Sequence, residues 1–483
     1  MDRKDLPVPE MGEKYFEEYV KPSTELEKVL CKGMERVLNY SPIGITQDFF
    51  VCGGDSLKAI EFIIGLEKEG ISFNLQELYD YPTVENLAKV LRKENRNTIT
   101  DEKYHTEEFY KYRELLNKNK IQTSFVPEKI SIKTIFLSGI TGFLGAHIAD
   151  TLLQDVECVI YCLVRGGGKE EITERVSDTL RYYFGDKHQN KIGIRIIPIV
   201  GDITEENLSV EVPEKVDMVI HTAATVKHYG SYGYFHRVNT LGTKHMVDYA
   251  LRINAKFIHI STISVSGNSF VNGFDTEYAQ EERYYAEDCL YQEQSLKNVY
   301  VRSKFEAECV VLDGILNGLQ ANIIRVGNLT NRSRDYVFQK NYKENAFLAR
   351  MKAIMELGSV PEYFLPLYCE FSPVDDTANA IVKIAKHFNM QHTIFHVYSN
   401  MNLYFDKMVK ILEKLSINMR VLSKKEFKNC LFNTLQQDQS YIYEAFVNDM
   451  DEEGNINYET NIYIQNDFTI RYLKQLGFEW TKI

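Results

Sequence analysis

The chain has 483 residues, 44% of them hydrophobic, which is enough for two or three domains with buried cores. A net charge of -12 argues against nucleic acid or an anionic membrane as the main partner. No run approaches the roughly 18 apolar residues of a membrane span, and the N-terminus lacks a signal-peptide core.

The eight cysteines show neither metal-ligand nor disulfide spacing, and Cys158 and Cys162 lie in an apolar run where packing explains them. Free thiols point to a cytoplasmic chain, and no metal site is expected.

Residues 1–22 hold no convincing element. Residues 23–95 read as a small all-α unit. Thr24 and Glu27 form a capping box ahead of an apolar face of Leu26, Val29, Leu30, Met34 and Val37. In "DFFVCGGDSLKA" a second helix begins at Ser56, with Asp55 suited to the cap and Leu57, Ile60 and Ile64 at helical spacing. Pro82-Thr83 opens a last helix carrying Leu87, Val90 and Leu91. Residues 96–130 have the charged composition of a linker, with a short helix around Glu107 to Leu116.

From Ser131 onward strand runs alternate with helical patterns. "TIFLSG", "CVIYCLVR", "IRIIPIVGD", "VDMVIHTAA", "KFIHISTIS" and "ANIIRVG" predict a doubly wound parallel α/β sheet of the Rossmann type. In "TIFLSGITGFLGAHIADTLLQ" a strand runs into Gly139, Gly142 and Gly145 and then into a helix, the context of a dinucleotide fingerprint. Backbone N–H groups around Thr141, Phe143 and Leu144 then face the pyrophosphate. Arg165 ends the second strand where an NAD enzyme would present an acid, and it suits the 2′-phosphate of NADPH. Arg175 offers a second donor. Asp202 of the "GDIT" turn, followed by Ile203, is placed to bond the adenine amino group, and Ala223 and Ala224 of "HTAA" leave room for the cofactor. His221 reads as a packed strand-end histidine.

Thr262 stands at a strand end, and Tyr300 and Lys304 of "YVRSK" lie one turn apart on one helix face. Residues 268–299 form a long acidic and aromatic insertion between them, a candidate gate or docking surface. Residues 331–483 are expected to form a smaller helical substrate lobe over the core at 131–330, capped by a C-terminal helix.

Two resemblances follow from these motifs. Residues 23–95 resemble the peptidyl carrier domains of nonribosomal peptide synthetases, which implies that Ser56 carries 4′-phosphopantetheine attached by a phosphopantetheinyl transferase. "MDRKDLP" resembles the end of an adenylation domain's last motif, so the chain is expected to follow upstream adenylation and condensation domains. Residues 131 to about 400 resemble the extended short-chain dehydrogenase/reductases, and most of all the terminal thioester reductases of those synthetases. That likeness includes "RVNTLGT", "IIRVGNLT" and "FSPVDDTANAI", and it adds Gly327 and Asn328 to the implied cofactor contacts.

The implied reaction is hydride transfer from NADPH to a carrier-bound peptidyl thioester. Thr262 and Tyr300 would stabilise the developing oxyanion, and the Lys304 ammonium is expected to lower the phenol's pKa and hold the nicotinamide ribose. Collapse of the hemithioacetal would release an aldehyde. Asn239 either orients the lysine or a water, or is structural. A further reduction to the alcohol, and a non-redox cyclising or binding role, stay open on these motifs.

Overall fold

The computed structural model describes residues 19–67, 69–92, 104–117, 128–209, 211–227, 230–267, 283–390, 392–400, 402–435, 439–446 and 462–481. The chain divides into two compact units, one of residues 1–100 and 446–456, the other of residues 101–445 and 457–483. The adenylation-like residues 1–7 lie outside the described residues.

Four helices build the first unit: α1 (Glu25–Leu38), α2 (Ser56–Glu67), α3 (Leu75–Asp80) and α4 (Val84–Leu91). The capping box forms, with the Glu27 N–H donating to Thr24 Oγ1 and the Thr24 N–H to Glu27 Oε2. Leu30, Met34, Phe49, Phe62, Leu66, Phe73 and Leu87 fill the core. A Cβ on Gly33 would lie 2.7 Å from the Phe62 ring, so this glycine lets α1 and α2 cross closely.

In the second unit a seven-stranded sheet comprises β1 (Thr134–Ser138), β2 (Val159–Val164), β3 (Ile196–Val200), β4 (Met218–His221), β5 (Lys256–Thr262), β6 (Ala321–Val326) and β7 (Ile394–Val397). All neighbours are parallel, and the spatial order is β7-β6-β5-β4-β1-β2-β3. Alternation along each strand feeds two cores. Ile135 and Leu137 of β1, Ile160 and Cys162 of β2, and Ile258 and Ile260 of β5 face one core. Phe136, Leu163 and Phe257 face the other.

The described helices of this unit are α5 (Arg113–Asn117), ahead of β1, then α6 (Phe143–Asp155), α7 (Lys169–Phe184), α8 (Tyr232–Phe235), α9 (Gly242–Arg252), α10 (Val299–Leu316), α11 (Ala346–Leu357), α12 (Val374–Lys386), α13 (Phe405–Lys414), α14 (Lys424–Leu435), α15 (Ser440–Glu444) and α16 (Asp467–Gln475). Helices α6, α7, α12 and α16 close the first core, and α9 and α10 close the second. Covered on both faces, the strands need the near-continuous apolar runs that the sequence displays.

Three expectations are revised. Residues 331–483 are not all a separate lobe: β7 pairs with β6 as a sheet strand, and α12 and α16 pack in the first core. The predicted linker contributes Tyr112, Leu115 and Leu116 to the second core. In the predicted insertion, residues 268–282 lie outside the described residues, but the part from 283 onward is structural. Arg283–Tyr285 pairs with Ile462–Ile464, and Tyr285, Leu290 and Leu296 are buried.

Burial sets the protonation of two histidines. His221 is bracketed by the Ser138 hydroxyl at 2.7 Å and the Thr243 hydroxyl at 3.1 Å, and burial lowers its pKa to about 3. Burial likewise lowers that of His147 to about 4. In the unfolded chain both rings would titrate near ~6.5. Unfolding therefore takes up protons below about that pH, and the stability that these neutral rings contribute is lost as pH falls from there toward the folded-state values. In an NMR titration from about pH 8 to about pH 5 both rings are expected to stay neutral; a midpoint near ~6.5 for either would contradict the packing described.

Candidate active site and attachment site

Ser56 is the first residue of α2, and the Asp55 carboxylate accepts the Lys58 N–H at 2.9 Å as a cap. The serine is partly exposed, its hydroxyl 3.1 Å from that of Tyr79, whose ring stacks on Phe50 at 4.3 Å. The two glycines before it serve different ends. Gly53 has φ +90° with open space where a Cβ would stand. A Cβ on Gly54 would collide with the Phe49 ring at 2.3 Å, so that glycine answers to packing inside the loop rather than to access from outside.

Strand order reverses between β1 and β4, which places a crevice at their carboxyl ends. The glycine loop turns there. Gly139 has φ +83°, and a Cβ on Gly145 would lie 2.1 Å from the Gly139 carbonyl oxygen, so α6 approaches the loop more closely than any other residue allows. Helix α6 starts at Phe143 with no side-chain cap from Gly142. The N–H groups of Phe143, Leu144 and Gly145 thus have no partner within the helix, and with Thr141 they form a cradle that fits a pyrophosphate.

Across the crevice the Thr222 hydroxyl donates to the Ser138 carbonyl at 2.7 Å and the Ala223 N–H to the Ser138 hydroxyl at 3.3 Å, which fixes the Ala223-Ala224 turn. Arg165 is exposed just past β2, and the Arg175 guanidinium donates to its carbonyl, so two cations flank one strand end. Asp202 uses one oxygen to accept the Thr204 N–H at 2.9 Å, and Ile203 packs under Gly242.

Thr262 ends β5, and its hydroxyl accepts the Ser264 N–H at 3.1 Å. Tyr300 and Lys304 stand on α10, and the Tyr300 phenol hydrogen-bonds Thr262. The Lys304 ammonium donates to the Ile260 carbonyl at 2.7 Å and faces His259 Nε2 at 3.4 Å. Burial pushes Tyr300 up to about 12, and the Thr262 hydroxyl partly opposes this. The expectation that Lys304 lowers the phenol's pKa is therefore not met: the ammonium is engaged on β5, and desolvation dominates. Lys304 itself is lowered to about 8 by burial, with Glu308 acting in the opposite direction.

Asn239 lies in a π-helical turn, His236–Leu241. Its amide donates to the Thr225 carbonyl at 3.1 Å and the Ser303 hydroxyl at 2.9 Å, and its oxygen accepts the Thr225 N–H at 2.8 Å. These contacts brace α10 beside Lys304 rather than touch the lysine.

Two groups escaped the sequence reading. Glu308, one turn beyond Lys304, forms a fully buried ion pair with Arg325. Glu370, buried and raised to about 7 by desolvation, accepts the Asn328 N–H at 2.6 Å and the Ser372 hydroxyl. A Cβ on Gly327 would lie 2.4 Å from that carboxylate, so Glu370 fixes the Gly327-Asn328 turn. Apart from the glycine itself, no local pattern marks either contact.

Comparison with known proteins agrees with this geometry. Residues 137–381 match the NAD-binding family described as male sterility protein, and residues 28–91 match the phosphopantetheine attachment site family. A thiolation-reductase di-domain from an archaeal nonribosomal peptide synthetase superposes with a TM-score of 0.80 at 35% identity, covering 96% of each chain. A linear gramicidin synthase polypeptide of Brevibacillus parabrevis is 26% identical over the whole chain, which spans 9% of that relative. The L-2-aminoadipate reductase of Eremothecium gossypii, in its large subunit, is 26% identical over 65% of the chain, which spans 24% of it. The chain belongs to the male sterility protein family of NAD-binding reductase domains, joined to a phosphopantetheine-attachment domain in the thiolation-reductase arrangement of nonribosomal peptide synthetases.

Proposed function

We propose that this chain reduces an acyl or peptidyl thioester held through phosphopantetheine on Ser56 and releases it as an aldehyde. The observation that carries this reading is the Thr262–Tyr300 hydrogen bond at the carboxyl end of β5, with Lys304 pinned on the same helix as Tyr300. When bound, NADPH supplies a hydride to the thioester carbon.

The residues do the rest. With its pKa near 12, Tyr300 is a protonated phenol at neutral pH, so it can donate to the carbonyl oxygen as charge builds there. Thr262 orients the phenol and offers a second hydroxyl. Lys304, mostly cationic below about 8, adds a positive field, and two of an ammonium's three donors are engaged, which leaves one for the nicotinamide ribose. The carbon gains a hydride, the carbon–sulfur bond breaks as the carbonyl re-forms, and the departing thiolate takes up one proton from solvent to give the thiol.

Phe143, Leu144 and Gly145 would hold the pyrophosphate through their N–H groups, with Gly139, Thr141 and Gly142 shaping the turn. Asp202 and Ile203 would meet the adenine, Ala223 and Ala224 would leave room for the cofactor, and Gly327 and Asn328 would add further contacts. Arg165 and Arg175 would select the 2′-phosphate of NADPH. The aminoadipate reductase among the relatives supports the reductive chemistry. A phosphopantetheinyl transferase and upstream adenylation and condensation domains are the implied partners. The eight free cysteines suit a cytoplasmic setting, and among the described residues no helix is long and apolar enough to cross a membrane.

Tyr300→Phe is expected to lower single-turnover NADPH oxidation by ~10²–10³ while leaving cofactor affinity, read by fluorescence titration, nearly unchanged. Lys304→Ala should weaken both. Near-normal oxidation by the Phe variant would remove Tyr300 from the mechanism.

Arg165→Asp is expected to reduce the preference for NADPH over NADH by roughly 10- to 150-fold in kcat/KM, the worth of one charge-assisted contact. Equal use of both cofactors by the unaltered chain would contradict the assignment.

A further inference from the structure

The segment that follows the carrier unit is fastened to the helix that bears Tyr300 and Lys304. The Tyr104 hydroxyl donates to Glu306 on α10 at 3.0 Å, and the Tyr104 and Phe109 rings pack against Phe305 with centroids 5.6 and 5.4 Å away. Lys111 pairs with Asp313 at 2.7 Å, and the buried Tyr112 donates to the same carboxylate at 2.9 Å. Leu115 and Leu116 complete the contact inside the second core. Glu306 is held in turn by Arg302, Tyr232, His236 and Thr240. This is a built anchor, made by residues that composition alone marks as linker.

We propose that the anchor shortens the tether between Ser56 and the reductase site and so raises the effective concentration of the carried acyl group there. The proposal rests on the carrier and reductase roles given above. From Arg92, at the end of α4, to Tyr104 the chain has about 12 residues, a reach of at most ~40 Å in any conformation. Among the described residues, the next backbone contact beyond the anchor is at Ile130, whose N–H donates to the Lys386 carbonyl at 2.8 Å. Without the anchor the tether would be about 38 residues long, with a reach of ~130 Å. Effective concentration falls roughly as the −3/2 power of tether length, so release of the anchor should cost roughly fivefold.

The test compares two substrates in one chain. The holo-protein acylated on Ser56 reports delivery in cis, and a free acyl-pantetheine thioester reports the chemistry in trans. In the variant Tyr104→Ala/Phe109→Ala/Tyr112→Ala/Leu115→Ser/Leu116→Ser, which removes every anchoring side chain named above except Lys111, cis NADPH oxidation is expected to fall roughly fivefold while trans oxidation stays unchanged. Small-angle scattering should show a larger radius of gyration. A second variant keeps the anchor and inserts about 26 Gly/Ser residues after Thr100, giving the same tether length. It should show the same selective loss, and it decides alone if the anchor-releasing variant does not fold. An unchanged cis rate, or equal losses in cis and trans, would overturn the proposal. No oxidation of either substrate by the unaltered chain would instead refute the reductase reading on which it rests.

Discussion

The arrangement depends on one buried ion pair. Glu308 of α10 and Arg325 of β6 are both fully excluded from solvent and meet bidentately, Nε to Oε1 at 2.9 Å and Nη2 to Oε2 at 2.7 Å. The Ser261 hydroxyl of β5 donates to the same carboxylate at 2.6 Å. Arg325 also donates to the Cys289 carbonyl, lies 3.1 Å from His396 Nε2 on β7, and sits over the Tyr285 ring. One contact therefore registers the helix carrying Tyr300 and Lys304 against the strand ending in Thr262 and against both strands beyond it. Two buried charges are tolerable only with their hydrogen bonds satisfied, and removal of one partner typically costs ~3–5 kcal/mol.

The same pair reaches into the chemistry. Glu308 lies one turn from Lys304 and works against the burial that lowers the ammonium's pKa. At Tyr300 burial outweighs the Thr262 hydroxyl that works against it, which leaves the phenol a firm proton holder. In the proposed reaction, an oxyanion forming beside a neutral phenol and a cation would meet donors already in place, with little reorganisation needed.

The sequence made much of this readable, and the reasons are local. The Thr24–Glu27 box, the cap before Ser56 and the glycine loop are short-range patterns whose geometry follows from spacing. Six strands announced themselves because burial on both faces demands unbroken apolar runs. The seventh, Ile394–Val397, is four residues long and carries His396, too short and too mixed to stand out. Long-range contacts left no such trace. Glu308 and Arg325 are ordinary charged residues until the fold pairs them, and Tyr104 and Tyr112 look like linker residues until α10 lies beneath them. Gly54 was legible as a glycine, but its cause, the Phe49 ring, was not.

The central claim is that a carbonyl carbon attached through Ser56 receives hydride from the nicotinamide. Mass spectrometry of the product released from Ser56-acylated chain, supplied with NADPH deuterated at the transferred C4 position, tests this most directly. The account predicts an aldehyde carrying one deuterium at its carbonyl carbon, with one cofactor oxidised per acyl group released. A free acid or cyclised product without deuterium would contradict it.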